Sequence, residues 1–169
     1  MDHKIIHTKE QSFLAISKRF SNDIVNDESN HDIPDFWDEC GNGGLIERLL
    51  DLRCDGKRDL FGLCSPAKEG EDTFEYGIGV LVDGDTLPFD IGAFTEHGYR
   101  IWDVCEGDYV VFECMGDDGD CISETWARFY NDFLPQSELE ARDGTDYEVY
   151  YQNGKDGLFC ELWVPIKRV

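Results

Sequence analysis

The chain has 169 residues, of which 41% are hydrophobic and 13% are aromatic. This length and this supply of core-forming residues predict one folded domain over residues 1–169 and exclude a disordered chain. Fifteen Lys and Arg against 37 Asp and Glu give a formal net charge of -22. Because this field repels phosphate backbones and anionic lipids, we expect neither direct nucleic-acid binding nor binding to a membrane.

Targeting and cofactor signals are missing from the sequence. The first ten residues form no apolar segment, and no run of 18 uncharged apolar residues occurs, so neither a signal peptide nor a membrane span is predicted. The seven cysteines are irregularly spaced and lack a CxxC pair, which indicates reduced thiols and a cytoplasmic location. The four histidines lack metal-ligand spacing, and no nucleotide-binding motif occurs, so we predict no metal and no cofactor.

The first half of the chain predicts a β-α-β-β order. Residues 3–17 contain two short apolar runs and read as an opening strand. Pro34 suits the first turn of a helix, and the glycine-rich run 41–44 should divide that helix in two. Strand composition at 60–64 and 74–82 on either side of a charged turn predicts a hairpin.

The second half repeats this order. Residues 83–100 lack periodicity and predict a connection, with His97 at its surface. A helix with Asp120 as its N-cap should follow two strands and precede two more. The four strand segments are 101–104, 109–114, 146–151 and 158–166.

The matching order of elements indicates an internal duplication, with half-repeats of about 1–83 and 99–169. Trp37 and Trp126 fall at corresponding positions of the two helices. Two such halves can pair about a pseudo-twofold axis and leave a cleft where they meet. We therefore predict an α+β fold of duplicated β-α-β-β halves, with antiparallel sheets, helices on one face and a central ligand cleft.

Short motifs along the chain carry a family resemblance. They are FLAIS, IPDFW, FGLC, FEYGIGV, FLPQS, DYEVY and ELWVPI, in that order. Together, from about Lys4 to Ile166, they resemble the GyrI-like or bacterial effector-binding domain. The resemblance implies two SH2-like halves. It also implies one of three roles: a ligand-sensing domain of transcription regulators, including AraC-type and multidrug-responsive ones, a free-standing small-molecule binder, or a hydrolase that opens cyclopropane rings.

The resemblance also implies site residues, because a Glu on the floor of an aromatic cleft recurs in that family. The matching positions are Glu148 and Glu161, and the sequence leaves open which of them faces the ligand. Strand side chains alternate between faces, so Glu148 shares a face with Asp146 and Tyr150. The face of Glu161 carries Phe159, Trp163 and Pro165.

Aromatic residues divide into candidate cleft walls and expected core. The candidates for ligand contact are Tyr76, Trp102, Tyr109, Tyr147 and Trp163. The aromatic residues of the two helices are expected in the core: Trp37, Trp126, Phe129 and Phe133.

These residues predict binding of a small apolar or cationic organic ligand, since a carboxylate among aromatic rings neutralises a cation. The chain would then be an effector-binding domain, with a fused or separate DNA-binding domain, or a stand-alone drug or toxin binder. A first alternative is a cyclopropane hydrolase with Glu148 and Glu161 as catalytic residues. A second is a gyrase-inhibitor-like protein-interaction module whose acidic surface contacts a basic partner. The sequence makes no prediction of the oligomeric state.

Overall fold

The computed structural model contains one antiparallel sheet of nine strands and three α-helices in the part of the chain that it describes. The predicted α+β class is therefore confirmed, with a single continuous sheet. Much of the predicted connection, including His97, lies outside the described residues, as does Cys54. None of the described helices is both long and apolar enough to cross a membrane. The described residues are 1–25, 27, 29–52, 57–82, 95 and 98–169.

The strand order places the two halves of the chain side by side in the sheet. The order is β1-β6-β9-β8-β3-β4-β2-β5, and β7 pairs with β9 beside β8. The central pair, β8 with β3, therefore joins strands of the second half to strands of the first. The strands are β1 Lys4–Thr8, β2 Gln11–Ser21, β3 Leu60–Ser65, β4 Thr73–Val82, β5 Tyr99–Val104, β6 Gly107–Met115, β7 Leu139–Ala141, β8 Asp146–Tyr150 and β9 Leu158–Arg168.

The opening segment differs from its prediction, because the single strand expected over residues 3–17 is two strands, β1 and β2. β1 pairs with β6, in the other half of the sheet, and β5 pairs with β2. Each half therefore receives its outermost strand from the other half. This exchange could not be seen in the local pattern, since pairing partners depend on residues about 100 positions apart.

The first helical unit covers β2 and β4, and it is divided as predicted. α1 spans Asp32–Asn42 and α2 spans Leu45–Asp51, and between them Gly44 has a positive φ of 75°. That left-handed conformation turns the chain between the two helices at low cost only for glycine. The helices bury Phe36, Cys40, Leu49 and Leu50 against the sheet.

The second helical unit covers β6 and β9. Asp120 was predicted as its N-cap, and this is wrong, because Gly119 holds that position and Asp120 is the first helical residue. Asp118 accounts for the difference, since its Oδ1 accepts a hydrogen bond of 2.9 Å from the backbone N–H of Asp120. The unit consists of α3 Asp120–Arg128, a π-helical turn Phe129–Phe133 and a 3-10 turn Leu134–Gln136.

The opposite face of the sheet is closed by its own side chains. A compact aromatic and aliphatic cluster fills it, and most members have an exposed fraction of 3% or less. The sheet therefore has one helix-bearing face and one face that is a packed core. The buried members of this second cluster are Phe13, Ala15, Leu63, Trp102, Val104, Tyr109, Tyr147 and Val149.

The junction between α1 and α2 gives a matched pair of glycine substitutions. Gly41→Ala should stabilise the protein by about 0.5–1 kcal/mol, because Gly41 is helical and a Cβ there would meet only the Ile46 side chain, at 3.8 Å. Gly44→Ala should destabilise it by about 1 kcal/mol, because its φ is positive. Urea unfolding followed by circular dichroism measures both changes. Equal stability of the two variants would contradict the assigned junction.

Candidate functional site

Among the described residues, the helical cover of the helix-bearing face is divided above the central strands β3 and β8. α1 and α2 pack on one side of these strands and α3 on the other. On the opposite face Leu63, Tyr147 and Val149 of these strands are at most 2% exposed. On the helix-bearing face the corresponding side chains keep accessible surface. We call this recess the seam slot, and its floor is formed by Cys64, Asp146, Glu148 and Tyr150.

Glu148 is held in the seam slot by two phenol groups. Tyr76 and Tyr150 each donate a hydrogen bond of 2.8 Å from their hydroxyls to Oε1 of Glu148. Trp37 of α1 donates in turn from its indole nitrogen to the Tyr76 hydroxyl, at 3.0 Å. No donor among the described residues reaches the second oxygen, Oε2. Glu148 is therefore fixed through one oxygen and has the other available.

Glu148 is both recessed and accessible. Burial raises the pKa of Glu148, and the hydrogen bonds from Tyr76 and Tyr150 oppose part of that rise. The side chain still keeps contact with solvent. This combination is typical of a carboxylate at the bottom of a concave site.

A glycine in β3 makes this arrangement fit. Gly62 is the register partner of Glu148 across the central strand pair. A Cβ added at Gly62 would overlap the Tyr76 hydroxyl and the Glu148 carboxylate. The absence of a side chain at this position therefore lets Tyr76, from β4, reach across β3 to a carboxylate on β8.

Aromatic rings from several elements lie on the helix-bearing face, and two of them contact Tyr150, which holds Glu148. The ring of Trp37 contacts Tyr150 edge-on, with 5.1 Å between centroids, and Phe159 contacts Tyr150 at 5.7 Å. On α3 and its π-helical extension, Trp126 and Tyr130 stack at 5.8 Å, and Tyr130 is 55% exposed. These rings provide an apolar wall with π faces beside the carboxylate.

Phe159 departs from the predicted alternation of β9. It was expected on the face of Glu161, but it packs with the helix-bearing face instead. The cause is an irregularity in the pairing of β6 with β9, where Cys114 pairs with Cys160 and Met115 pairs with Leu158. One extra residue on β9 at this point shifts the Phe159 side chain from the strict alternation.

Asp146 is the second acid of the seam slot, two residues before Glu148 on the same face of β8. Its register partner is Cys64, and no side chain among the described residues donates a hydrogen bond to its carboxyl group. Burial, together with the neighbouring Glu148, raises the pKa of Asp146 to about 8. Asp146 is therefore mostly protonated at neutral pH.

Glu161, the other candidate carboxylate, lies on the opposite face and is engaged through both oxygens. Oε1 forms an ion pair with Lys4 at 3.2 Å, and Oε2 accepts hydrogen bonds from Tyr151 at 2.7 Å and Trp163 at 3.1 Å. The residue is 6% exposed. A carboxylate with this many partners ties β1 and the β8–β9 turn to β9 and has no oxygen left for a ligand.

The other predicted aromatic wall residues also lie on the opposite face. Trp102 donates a hydrogen bond to the Thr145 hydroxyl at 3.0 Å, and Tyr109 donates one to the Thr145 carbonyl at 3.1 Å. Tyr147 stacks on Trp163 with 5.3 Å between centroids. Of the seven candidate residues, the structure thus brings together two, Glu148 and Tyr76, and places the other five elsewhere.

Sequence reasoning missed four residues of the seam slot, and for one of them, Cys64, no signal pointed to it. Asp146 and Tyr150 carried a usable signal, because strand alternation already placed them on the face of Glu148. For Trp37 the signal was misleading, because its position on a helix predicted a core residue. Its indole is only half-buried and donates a hydrogen bond to Tyr76.

A second concavity lies away from the seam slot. It measures about 730 Å³ and runs between β1, the π-helical turn and the end of β9. None of the sequence-predicted site residues lines it. Its lining mixes Arg128 and Arg168 with Asp132 and Glu138, which provides no isolated charge comparable with Glu148.

An α+β sheet with an acid-floored recess between two helical units defines an effector-binding type of domain. The profile of the Cass2 family, described as integron-associated effector binding protein, matches residues 4–166. The chain therefore belongs to the Cass2 family, which is a GyrI-like family, and the predicted resemblance is confirmed.

Solved structures support the same fold. SAV2435 bound to tetraphenylphosphonium aligns with a TM-score of 0.75 and 18% identity over 99% of this chain and 94% of that one. An integron cassette protein of Vibrio cholerae aligns with a TM-score of 0.65 and 15% identity, over 98% and 95%. The EcmrR C-terminal domain aligns with a TM-score of 0.59 and 13% identity, over 99% and 98%. No curated protein sequence matches the chain.

The raised pKa of Asp146 predicts a pH-dependent stability. Because the folded protein holds this proton more tightly than the unfolded chain, stability should fall as pH rises from about 4 to about 8. Asp146→Asn should match the wild type near pH 4 and exceed its free energy of unfolding by several kcal/mol at pH 9. Urea unfolding across this range measures the difference. Exposed Asp117→Asn is the control, and a constant Asp146→Asn difference at all pH values would contradict the shift.

Proposed function

We propose that this chain binds a small organic cation with apolar groups in the seam slot, with Glu148 as the anionic anchor. The observation that carries the proposal is the half-engaged carboxylate: two tyrosine hydroxyls hold Oε1 of Glu148, and Oε2 has no donor among the described residues. The role would be that of an effector-binding domain of a transcription regulator or of a stand-alone drug or toxin binder.

The chemistry around Glu148 favours a cation with aromatic or aliphatic substituents. A charge pair in a recess of low dielectric attracts more strongly than the same pair in water. The rings of Trp37 and Tyr150 can contact apolar groups and attract positive charge to their faces. Because the Glu148 carboxylate is already fixed by Tyr76 and Tyr150, binding requires little reordering of the site.

Two comparisons support this reading. SAV2435 is described as bound to tetraphenylphosphonium, a bulky aromatic cation. The EcmrR C-terminal domain shares the fold. EcmrR is also described in a complex with DNA, and there the match with this chain covers 58% of the EcmrR chain. With a net charge of -22, this chain would act on transcription through a DNA-binding domain carried elsewhere.

The two candidate carboxylates form a matched pair of test variants. Glu148→Gln should weaken tetraphenylphosphonium binding at least about tenfold, because it removes the charge that faces the ligand. Glu161→Gln should leave binding within about twofold, yet lower the melting temperature, because it removes the partner of Lys4. Isothermal titration calorimetry and thermal unfolding measure the two effects. Unchanged binding by Glu148→Gln would refute the anchor, and a protein-interaction role would then be the better account.

The hydrolase alternative rests on Glu148 alone, because Glu161 lies on the opposite face and the two carboxylates cannot act on one substrate. Burial raises the pKa of Glu148, which is the direction that makes a carboxylate a stronger base. For a binding protein we expect a cyclopropane-containing alkylating agent to remain intact after incubation, as measured by mass spectrometry. A ring-opened product that disappears with Glu148→Gln would instead establish the hydrolase.

A further inference from the structure

The seam slot holds two acidic side chains, and the second one has no assigned role. Asp146 and Glu148 are two residues apart on one face of β8, which separates their backbone positions by about 7 Å. Both keep accessible surface in the slot. The two carboxyl groups therefore present two negatively polarised points to one bound molecule.

The protein itself offers little compensation for Asp146. No side chain among the described residues donates a hydrogen bond to its carboxyl group, and its register partner is the thiol of Cys64. Glu148 differs in this respect, because two hydroxyl donors stabilise its charge. A backbone hydrogen bond opposes part of the effect of burial on Asp146. A recessed carboxyl group without a side-chain donor can still accept a partner supplied by the ligand.

We propose that the seam slot is specific for ligands with two positively charged centres, one placed at Glu148 and the other at Asp146. This inference rests on the proposed function, and it narrows the ligand class from organic cations to dications. The rings of Trp37 and Tyr150 beside Glu148, and of Tyr130 near Asp146, would cover an apolar spacer between the two charges.

We expect binding of a dication to release a proton, because Asp146 is mostly neutral at pH 7 before a ligand binds. A second positive centre stabilises the ionised carboxylate, so Asp146 loses its O–H proton to the buffer as the dication binds. A monocation at Glu148 offsets only the contribution of Glu148 to the raised pKa of Asp146 and leaves the larger effect of burial in place. Binding of a dication should therefore release close to one proton, and binding of a monocation clearly less.

The pKa of Asp146, about 8, lies in the range of this test. The titratable groups beside Asp146 are Cys64 of β3, Glu148 of β8 and Tyr130 of the π-helical turn, and Tyr109 of β6 lies on the opposite face of the sheet. Burial raises the pKa of the thiol and of both phenols above their ordinary values, so these three groups stay neutral from pH 6 to pH 9.

A matched pair of probes with permanent charges tests the inference on the full chain. Benzyltrimethylammonium carries one charge, and 1,4-bis(trimethylammoniomethyl)benzene carries two on the same ring. Calorimetry at pH 7 in phosphate and in Tris separates proton release from the heat of binding. For Asp146→Asn we expect the ratio of dication to monocation affinity to fall about tenfold or more and proton release to vanish.

Measurements on the wild type at pH 9 and on a second variant test the inference even if Asp146→Asn fails to fold. At pH 9, where Asp146 is ionised before binding, the wild type should favour the dication more strongly and release no proton. Asp146→Ser should reproduce the loss seen with Asp146→Asn. If the monocation binds through Glu148 while Asp146→Asn leaves the preference for the dication unchanged, the inference is overturned and the proposed function stands. If neither probe nor tetraphenylphosphonium binds the wild type, both are overturned.

Discussion

The antiparallel pairing of β3 with β8 is the contact on which the rest of the structure depends. It joins the strand group β6-β9-β8 to the group β3-β4-β2 and so makes one sheet of the two halves. Its register places Gly62 opposite Glu148, which lets Tyr76 reach the carboxylate. A slip of one residue would turn Glu148 to the opposite face. The same pairing therefore determines both the continuity of the sheet and the composition of the slot.

Two glutamates in neighbouring strands show how partners decide the role of a carboxylate. Val149 and Glu161 are register partners in β8 and β9, so Glu148 and Glu161 point to opposite faces. Lys4, Tyr151 and Trp163 occupy both oxygens of Glu161. Among the described residues, Glu148 receives its donors on one oxygen only. A carboxylate with partners on both oxygens contributes to the fold, whereas one with an unoccupied oxygen can accept a ligand.

The spacing of apolar and turn residues predicted those elements that depend only on residues close together in the sequence. The β3–β4 hairpin, the helix break at 41–44 and the strand face of Asp146, Glu148 and Tyr150 follow from spacing and turn residues. The exchange of β1 and β5 between the halves does not, because strand partners are chosen by long-range pairing. The position of Trp37 is a second case, since only the docking of α1 brings its indole to Tyr76. Duplicated half-repeats remain a prediction from element order.

The net charge and the buried acids act over different distances. At physiological ionic strength, charges on the surface are screened beyond about 8 Å, so a charge of -22 raises the rate at which cations arrive without selecting among them. Selection requires charges in a recess, where the dielectric is low. Two ionised carboxylates two residues apart on one face of a strand in such a recess would repel each other and lose hydration. A proton on Asp146 relieves this cost while the slot is empty, and a bound positive charge can take the place of that proton.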